Sequence, residues 1–193
     1  LGSRGLGDVY KRQVMVYAGQ ELGEPGADAE GYSGHDGRTS IFDYWSVGTL
    51  RRWLNNGRPS LKNLSADERR LRDSYSRLLN IATSEAAVRE GTFFDVMYVN
   101  NEKTEGFNPE RQYAFLRHFG NETLLVVANF DDKEADVKVN IPLHAFNTLR
   151  ISEGARAATE LLTGRSESHA IDSHTPFQTA VPAHGAVVWK WTD

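Results

Sequence analysis

The sequence predicts an α+β chain in two parts, a mixed lead-in up to residue 88 and an antiparallel β-sandwich from residue 89. Three observations carry this. Ser65-Ala66-Asp67-Glu68 has the pattern of a capping box, in which the serine caps a helix and the glutamate reaches back to the serine amide. Leu71, Tyr75, Leu78, Leu79 and Ala82 follow at helical spacing, enough for about five turns. After Glu85 the apolar period falls from about 3.6 to about 2, and short strand patterns recur with no long helix between them.

Taken in order, Val14 to Tyr17 is apolar on both faces, as in a strand covered on both sides. A polar, glycine-rich segment follows from Ala18 to about Ser40, and loops of that length in compact domains are usually functional. Ile41 to Trp45 is apolar and aromatic. A short helix is expected over Val47 to Leu54, stopped by Asn55-Asn56-Gly57. In the second part, Phe94, Val96 and Tyr98 alternate with Asp95 and Met97, and Tyr113 to Phe119 alternates in the same way. Glu122 to Phe130 is apolar on both faces and is expected to be a central strand. Ala135, Val137, Val139 and Ile141 alternate with polar residues, so one face of that strand meets water. Ala158 to Leu162 and His169 to Ile171 are further strands. Ala186 to Trp191 ends the series, with Val187, Trp189 and Trp191 on one face and expected in the core.

Composition bounds the function. Of 193 residues, 22 are Lys or Arg and 26 are Asp or Glu, giving a formal charge of −4. That balance argues against a nucleic-acid binder, which needs a basic face to neutralise phosphates. At 39% hydrophobic and 25% charged residues the chain is globular. Cysteine is absent, which excludes disulfide scaffolds, thiolate metal sites and cysteine nucleophiles. No apolar run reaches the roughly 18 residues of a membrane-spanning helix.

Residues 1–13 have no usable period and no apolar core of a signal peptide. They are similar to translated sequencing-adapter DNA and are read as a non-native or disordered tail. Because a strand covered on both faces follows directly, the chain is expected to be a piece of something longer.

Tyr17-Ala18-Gly19-Gln20-Glu21-Leu22-Gly23 resembles the Tyr-x-Gly-x-Glu-aliphatic-Gly segment that follows the last barrel strand in the α-amylase family, glycoside hydrolase family 13. The order of later segments is similar too. Gly37-Arg38, Phe42-Asp43-Tyr44-Trp45, the capped helix at Ser65, Arg89-Glu90-Gly91 and Leu125-Val126-Val127-Ala128-Asn129-Phe130 follow in turn. The insert with Asp28-Ala29-Glu30-Gly31-Tyr32 and Asp36-Gly37-Arg38-Thr39 resembles a bacterial maltodextrin-degrading branch.

The resemblance implies an architecture: the end of a (β/α)8 TIM barrel over residues 14–88, then the β-sandwich called domain C over 89–193. A complete barrel takes about 250 residues, so only its last strand and helices fit. It also implies a retaining glycosidase as the parent, acting on starch or maltodextrin with two carboxylates about 5–5.5 Å apart. The nucleophile Asp, acid/base Glu and third Asp of the family follow earlier barrel strands. None of their motifs occurs here, so no catalytic residue is assigned in this chain, and the chain alone is expected to be inactive. No cofactor or metal is assigned either; the resemblance leaves room for a structural calcium in the missing upstream part. The partner implied for the intact parent is an α-glucan oligosaccharide.

Candidate contacts with that sugar are Tyr44, Arg38 and Tyr32. An aromatic ring offers a flat apolar face and a polar edge to a sugar, and Arg38 offers hydrogen-bond donors. The competing reading is that the aromatics pack the loop onto the barrel, and packing is preferred for Phe42 and Trp45. Glu21 is read as a structural carboxylate bonding to loop amides. Glu21 with Glu24, and Asp28 with Glu30, could imitate a carboxylate pair, but nothing orients them, and loop acids of this kind are more often solvated. His35-Asp36 has no second His at ligand spacing, and no phosphate loop or nucleophile elbow is present.

Two functions from different classes remain on the sequence alone. One is the C-terminal part of an α-glucan hydrolase. The other is a stand-alone carbohydrate-binding or accessory β-sandwich with a helical lead-in.

Overall fold

The computed structural model describes residue 16, residues 18–24 and residues 47–193. The expected strand at Val14–Tyr17 lies outside them apart from Val16, and so do Ile41 to Trp45. The chain divides into two compact units, Leu1–Leu79 and Asn80–Asp193. The boundary read from the sequence was 88/89.

In the first unit a 3-10 turn, Gln20–Leu22, precedes helix α1, Gly48–Leu54. Helix α2, Ala66–Ser84, runs through the division between the units. Its start is the predicted capping box. Glu68 N–H donates to Ser65 Oγ at 3.2 Å, and Ser65 N–H donates to Glu68 Oε2 at 2.7 Å. No residue of α2 is buried, and Leu71, Leu78 and Leu79 are exposed.

After the end of α2 the second unit has a single helical turn, α3 (Ala86–Arg89), and continues into eight strands: β1 Thr92–Asp95, β2 Gln112–Phe119, β3 Glu122–Asn129, β4 Ala135–Val139, β5 Gly154–Glu160, β6 Arg165–Ile171, β7 Phe177–Val181 and β8 Gly185–Thr192. A six-stranded antiparallel sheet runs β1-β2-β3-β8-β5-β6, and β4 pairs with β7 in a second, two-stranded sheet. This is the antiparallel sandwich that the period-2 pattern predicted.

Strand β3 is central, flanked by β2 and β8. Its two apolar faces have two separate uses. Leu125 and Val127 join the main core with Leu116, Val137, Phe177, Trp189 and Trp191. Leu124, on the other face, packs in a smaller cluster with Ala87 and Val188, lined by Ile81 and Val88. Trp189 and Trp191 are core residues as expected, and Trp189 donates its indole N–H to Thr179 Oγ1 at 2.9 Å. Polar staples hold the connections. Asn129, fully buried at the end of β3, donates to the carbonyls of Lys133 and Val181.

The structure departs from the sequence reading in four places. The strand expected over Ala158 to Leu162 is β5, which ends at Glu160, and Leu161 and Leu162 lie in the turn after it, where the Glu160 carboxylate takes the Leu162 amide. The strand through Phe94, Val96 and Tyr98 stops at Asp95, because Asp95 Oδ1 accepts the Met97 amide at 2.8 Å and Val96 C=O accepts the Val99 amide, turning the chain. Helix α4, Leu143–Leu149, was not anticipated; it buries Ala145, Phe146 and Leu149 and ends on Arg150 in the left-handed region. Strand β7 was not anticipated either. Its Gln-Thr-Ala centre carries little apolar signal, and it is held by pairing with β4.

Candidate functional site

Tyr44, Arg38 and Tyr32, the substrate-contact candidates, lie outside the described residues, as do Phe42, Trp45, His35, Asp36, Asp28 and Glu30. What is described is the frame at the two ends of their segment. Gly19 has φ +85°, and a Cβ there would come within 2.9 Å of Glu24 Cβ, so the turn requires glycine. The Gly19 carbonyl accepts the amides of Leu22 and Glu24, and Leu22 is fully buried. Gln20 donates to Tyr75 Oη at 2.7 Å.

Glu24 corrects the sequence reading. It is not a free solvated acid: Glu24 Oε2 accepts the Leu50 amide at 2.8 Å. Leu50 lies in the first turn of α1, whose N-cap, Val47, has no side-chain acceptor. A carboxylate from another element thus performs the capping that helix N-termini require. Helix α1 is joined to α2 through Glu68, which accepts from Arg52 Nη2 at 2.5 Å and from Thr49 Oγ1 at 3.3 Å. Burial works against the Glu68 carboxylate, but the Ser65 amide and Arg52 outweigh it and hold its pKa below the usual value.

Two carboxylates converge in the second unit. Glu85 and Glu122 both contact Lys190 Nζ, the latter at 2.9 Å. Glu122 Oε1 also accepts the Ala87 amide at 2.8 Å. Here burial raises the Glu122 pKa, but the Ala87 amide and Lys190 outweigh it and the net shift is downward. Arg117 completes the arrangement by donating to the carbonyls of Ala87 and Val88, at 3.0 and 2.7 Å. These groups dock α3 on the sheet.

Glu160 was not singled out by the sequence. It is 1% exposed and accepts four hydrogen bonds, from the amides of Val188, Leu162 and Thr163 and from the Thr163 hydroxyl, at 2.7–3.1 Å. Its oxygens are taken up by these donors, so it ties β8 to the turn that follows β5. The Leu-Leu-Thr-Gly turn after it, with Gly164 at φ +78°, is the local signal that a carboxylate could fold back there. His169 stacks on Phe177 at 4.1 Å and meets the edge of Trp189, and burial lowers its pKa. Among the described residues no group of three His, Asp or Glu side chains could hold a metal ion. No helix among them is long and apolar enough to cross a membrane.

Fold and site together define an all-β sandwich module whose described polar groups serve structure. Residues 106–192 match the family model described as "Alpha amylase, C-terminal all-beta domain". That segment, a little under half of the chain, is similar to the C-terminal all-β domain of α-amylases. Among solved structures, an α-amylase from Anoxybacillus superposes with a TM-score of 0.51 at 15% identity, over 97% of this chain and 31% of its own. AmyP, solved in complex with maltose, gives 0.51 at 14% identity, over 89% of this chain and 30% of its own. The chain thus spans about a third of the length of these relatives. No curated protein matches the sequence.

Proposed function

We propose that this chain is the C-terminal part of a retaining α-glucan-hydrolysing enzyme of the α-amylase type. In this reading residues 14–88 are the end of its catalytic barrel and residues 89–193 its domain C. The observation that carries the reading is the match of residues 106–192 to the α-amylase C-terminal domain on a chain that also superposes over almost its whole length on an α-amylase. The exposed Leu71, Leu78 and Leu79 on α2 agree with it, since a barrel helix needs neighbours to cover its apolar stripe.

The nucleophile and acid/base belong to the upstream part of the parent, so the present chain binds α-glucan incompletely and hydrolyses none. In the parent, Tyr44, with Arg38 and Tyr32, contacts the oligosaccharide. Two measurements test this. The reading frame upstream of residue 14 is recovered from the source DNA and the joined protein assayed on starch, maltotriose and pullulan; turnover is expected from the joined protein and not from the 193-residue chain. Tyr44→Ala in the joined protein is then expected to lower kcat/KM about tenfold, equivalent to about 1.4 kcal/mol of transition-state binding, with an unchanged Tm. Turnover by the short chain, or the absence of any hydrolase sequence upstream, overturns the proposal. Glucan binding by the short chain without an upstream barrel indicates a stand-alone binding module instead.

A further inference from the structure

Strand β1 is short, and its ladder with β2 stops at the pair Asp95–Phe115. The next residue on β2, Ala114, is fully buried and has no partner on β1. The acceptor there is a sulfur: Ala114 N–H donates to Met97 Sδ at 3.3 Å. The turn after β1 places this thioether. The Met97 amide is tied to Asp95 Oδ1, and the Met97 carbonyl accepts the Asn100 amide at 3.1 Å. Met97 is half-buried and packs against the main core. A thioether is a weak acceptor that also fills apolar space, so one atom here both closes the ladder and seals the core edge.

We propose that Met97 is an oxidation site, and that its sulfoxide releases the β1 end of the sandwich. The oxidant class is a peroxide. A free lone pair of Sδ attacks one peroxide oxygen, the O–O bond breaks, and an S–O bond forms. The sulfur is oxidised, and the second oxygen leaves as water after taking up the proton of the first. The sulfoxide is polar and chiral where the thioether was apolar. The oxygen forms on the lone pair that does not face Ala114, so it sets a polar group at the core edge beside Met97. Turning that oxygen toward water draws the sulfur off the Ala114 amide, and the bond that closes the β1–β2 ladder is lost. The chain has no cysteine to consume the oxidant first, and its other methionine is Met15.

The test exposes the folded 193-residue chain to hydrogen peroxide, locates the added oxygen by peptide mass, and follows amide exchange and Tm. Expected are an added oxygen at Met97, whatever the state of Met15, Ala114 exchange faster by about tenfold with β3 protection unchanged, a lower Tm, and recovery of both on treatment with methionine sulfoxide reductase. Met15→Leu should lose Ala114 protection and Tm on peroxide treatment as the native chain does, and in Met97→Leu peroxide should change neither. Should Met97→Leu fail to fold, the reductase reversal in the native chain decides. A Met97 that stays unoxidised while the chain is folded overturns the proposal. So does a sulfoxide that leaves Ala114 exchange unchanged, or an equal loss of Tm in Met97→Leu.

Discussion

Glu24 and Leu50, 26 residues apart, are joined by a carboxylate-to-amide hydrogen bond of 2.8 Å that caps helix α1 from outside. Loss of a helix cap costs about 0.5–2 kcal/mol. Glu24→Ala is therefore expected to speed hydrogen exchange of the Leu50 amide about tenfold, the equivalent of about 1.4 kcal/mol. Glu24→Gln retains an acceptor oxygen and should exchange nearly as slowly as the native chain. Equal exchange in all three proteins would show the cap to be inert.

Glu160 satisfies amides of both β8 and its own following turn while buried. Removing the carboxylate strands these donors, and each buried unpaired group costs about 1–3 kcal/mol. Glu160→Ala should lower the urea-unfolding free energy of the sandwich by about 3 kcal/mol or more. A loss below about 1 kcal/mol would mean that water takes the place of the carboxylate.

The docking of α3 should be pH-dependent at both ends of the scale. Burial opposes ionisation of Glu122, but the Ala87 amide and Lys190 prevail and lower its pKa from 4.5. The unfolded chain therefore binds more protons, and stability from this group is present above about pH 4.5 and lost as pH falls through the folded value. Burial likewise opposes the Lys190 charge, but Glu85 and Glu122 prevail and raise its pKa above 10.5. Its contribution is present below pH 10.5 and lost as pH rises through the folded value. Glu122→Gln should flatten the acid limb of a Tm-against-pH curve, and an unaltered limb would assign the acid loss to other carboxylates.

Gly91 sits where α3 meets the start of β1, and a Cβ there would lie 2.2 Å from the Ala87 carbonyl oxygen and 2.7 Å from that of His118. Both are backbone atoms that cannot swing aside. Gly91→Ala should destabilise the second unit by about 1–3 kcal/mol, as overpacking does, whereas Gly120→Ala, at an open turn, strains only its own φ of +63°. Calorimetry of the two variants separates a close approach from a turn preference. Equal losses would remove the packing argument for Gly91.

Much of the sandwich was legible because its signals are local. Ser65 and Glu68 cap α2 from within four residues, and the alternation through Val137 and Val139 reads directly as one wet and one dry face. The apolar run from Leu124 to Val127 marked a central strand correctly, although the sequence could not say that its second face would be covered by Ala87. Helix α4 was missed because its seven residues, rich in His, Asn and Thr, carry weak propensity, and burial of Phe146 and Leu149 stabilises it instead. The extent of β1 was misread because alternation continues past Asp95, while the Asp95 side chain turns the backbone.

By itself the sequence determined the caps, the change of period, the core tryptophans and the order of segments that resembles α-amylases, since each depends on residues near one another in the chain. The tertiary structure alone decided the sheet order β1-β2-β3-β8-β5-β6 and the roles of Glu24, Glu122, Glu160 and Met97. Each of those side chains takes a hydrogen bond from a residue in a different element, 26 residues away for Glu24, 35 for Glu122, 28 for Glu160 and 17 for Met97. Whether a carboxylate or a sulfur is solvent-facing or structural depends on which amide the fold brings to it, and neither local periodicity nor composition carries that distance.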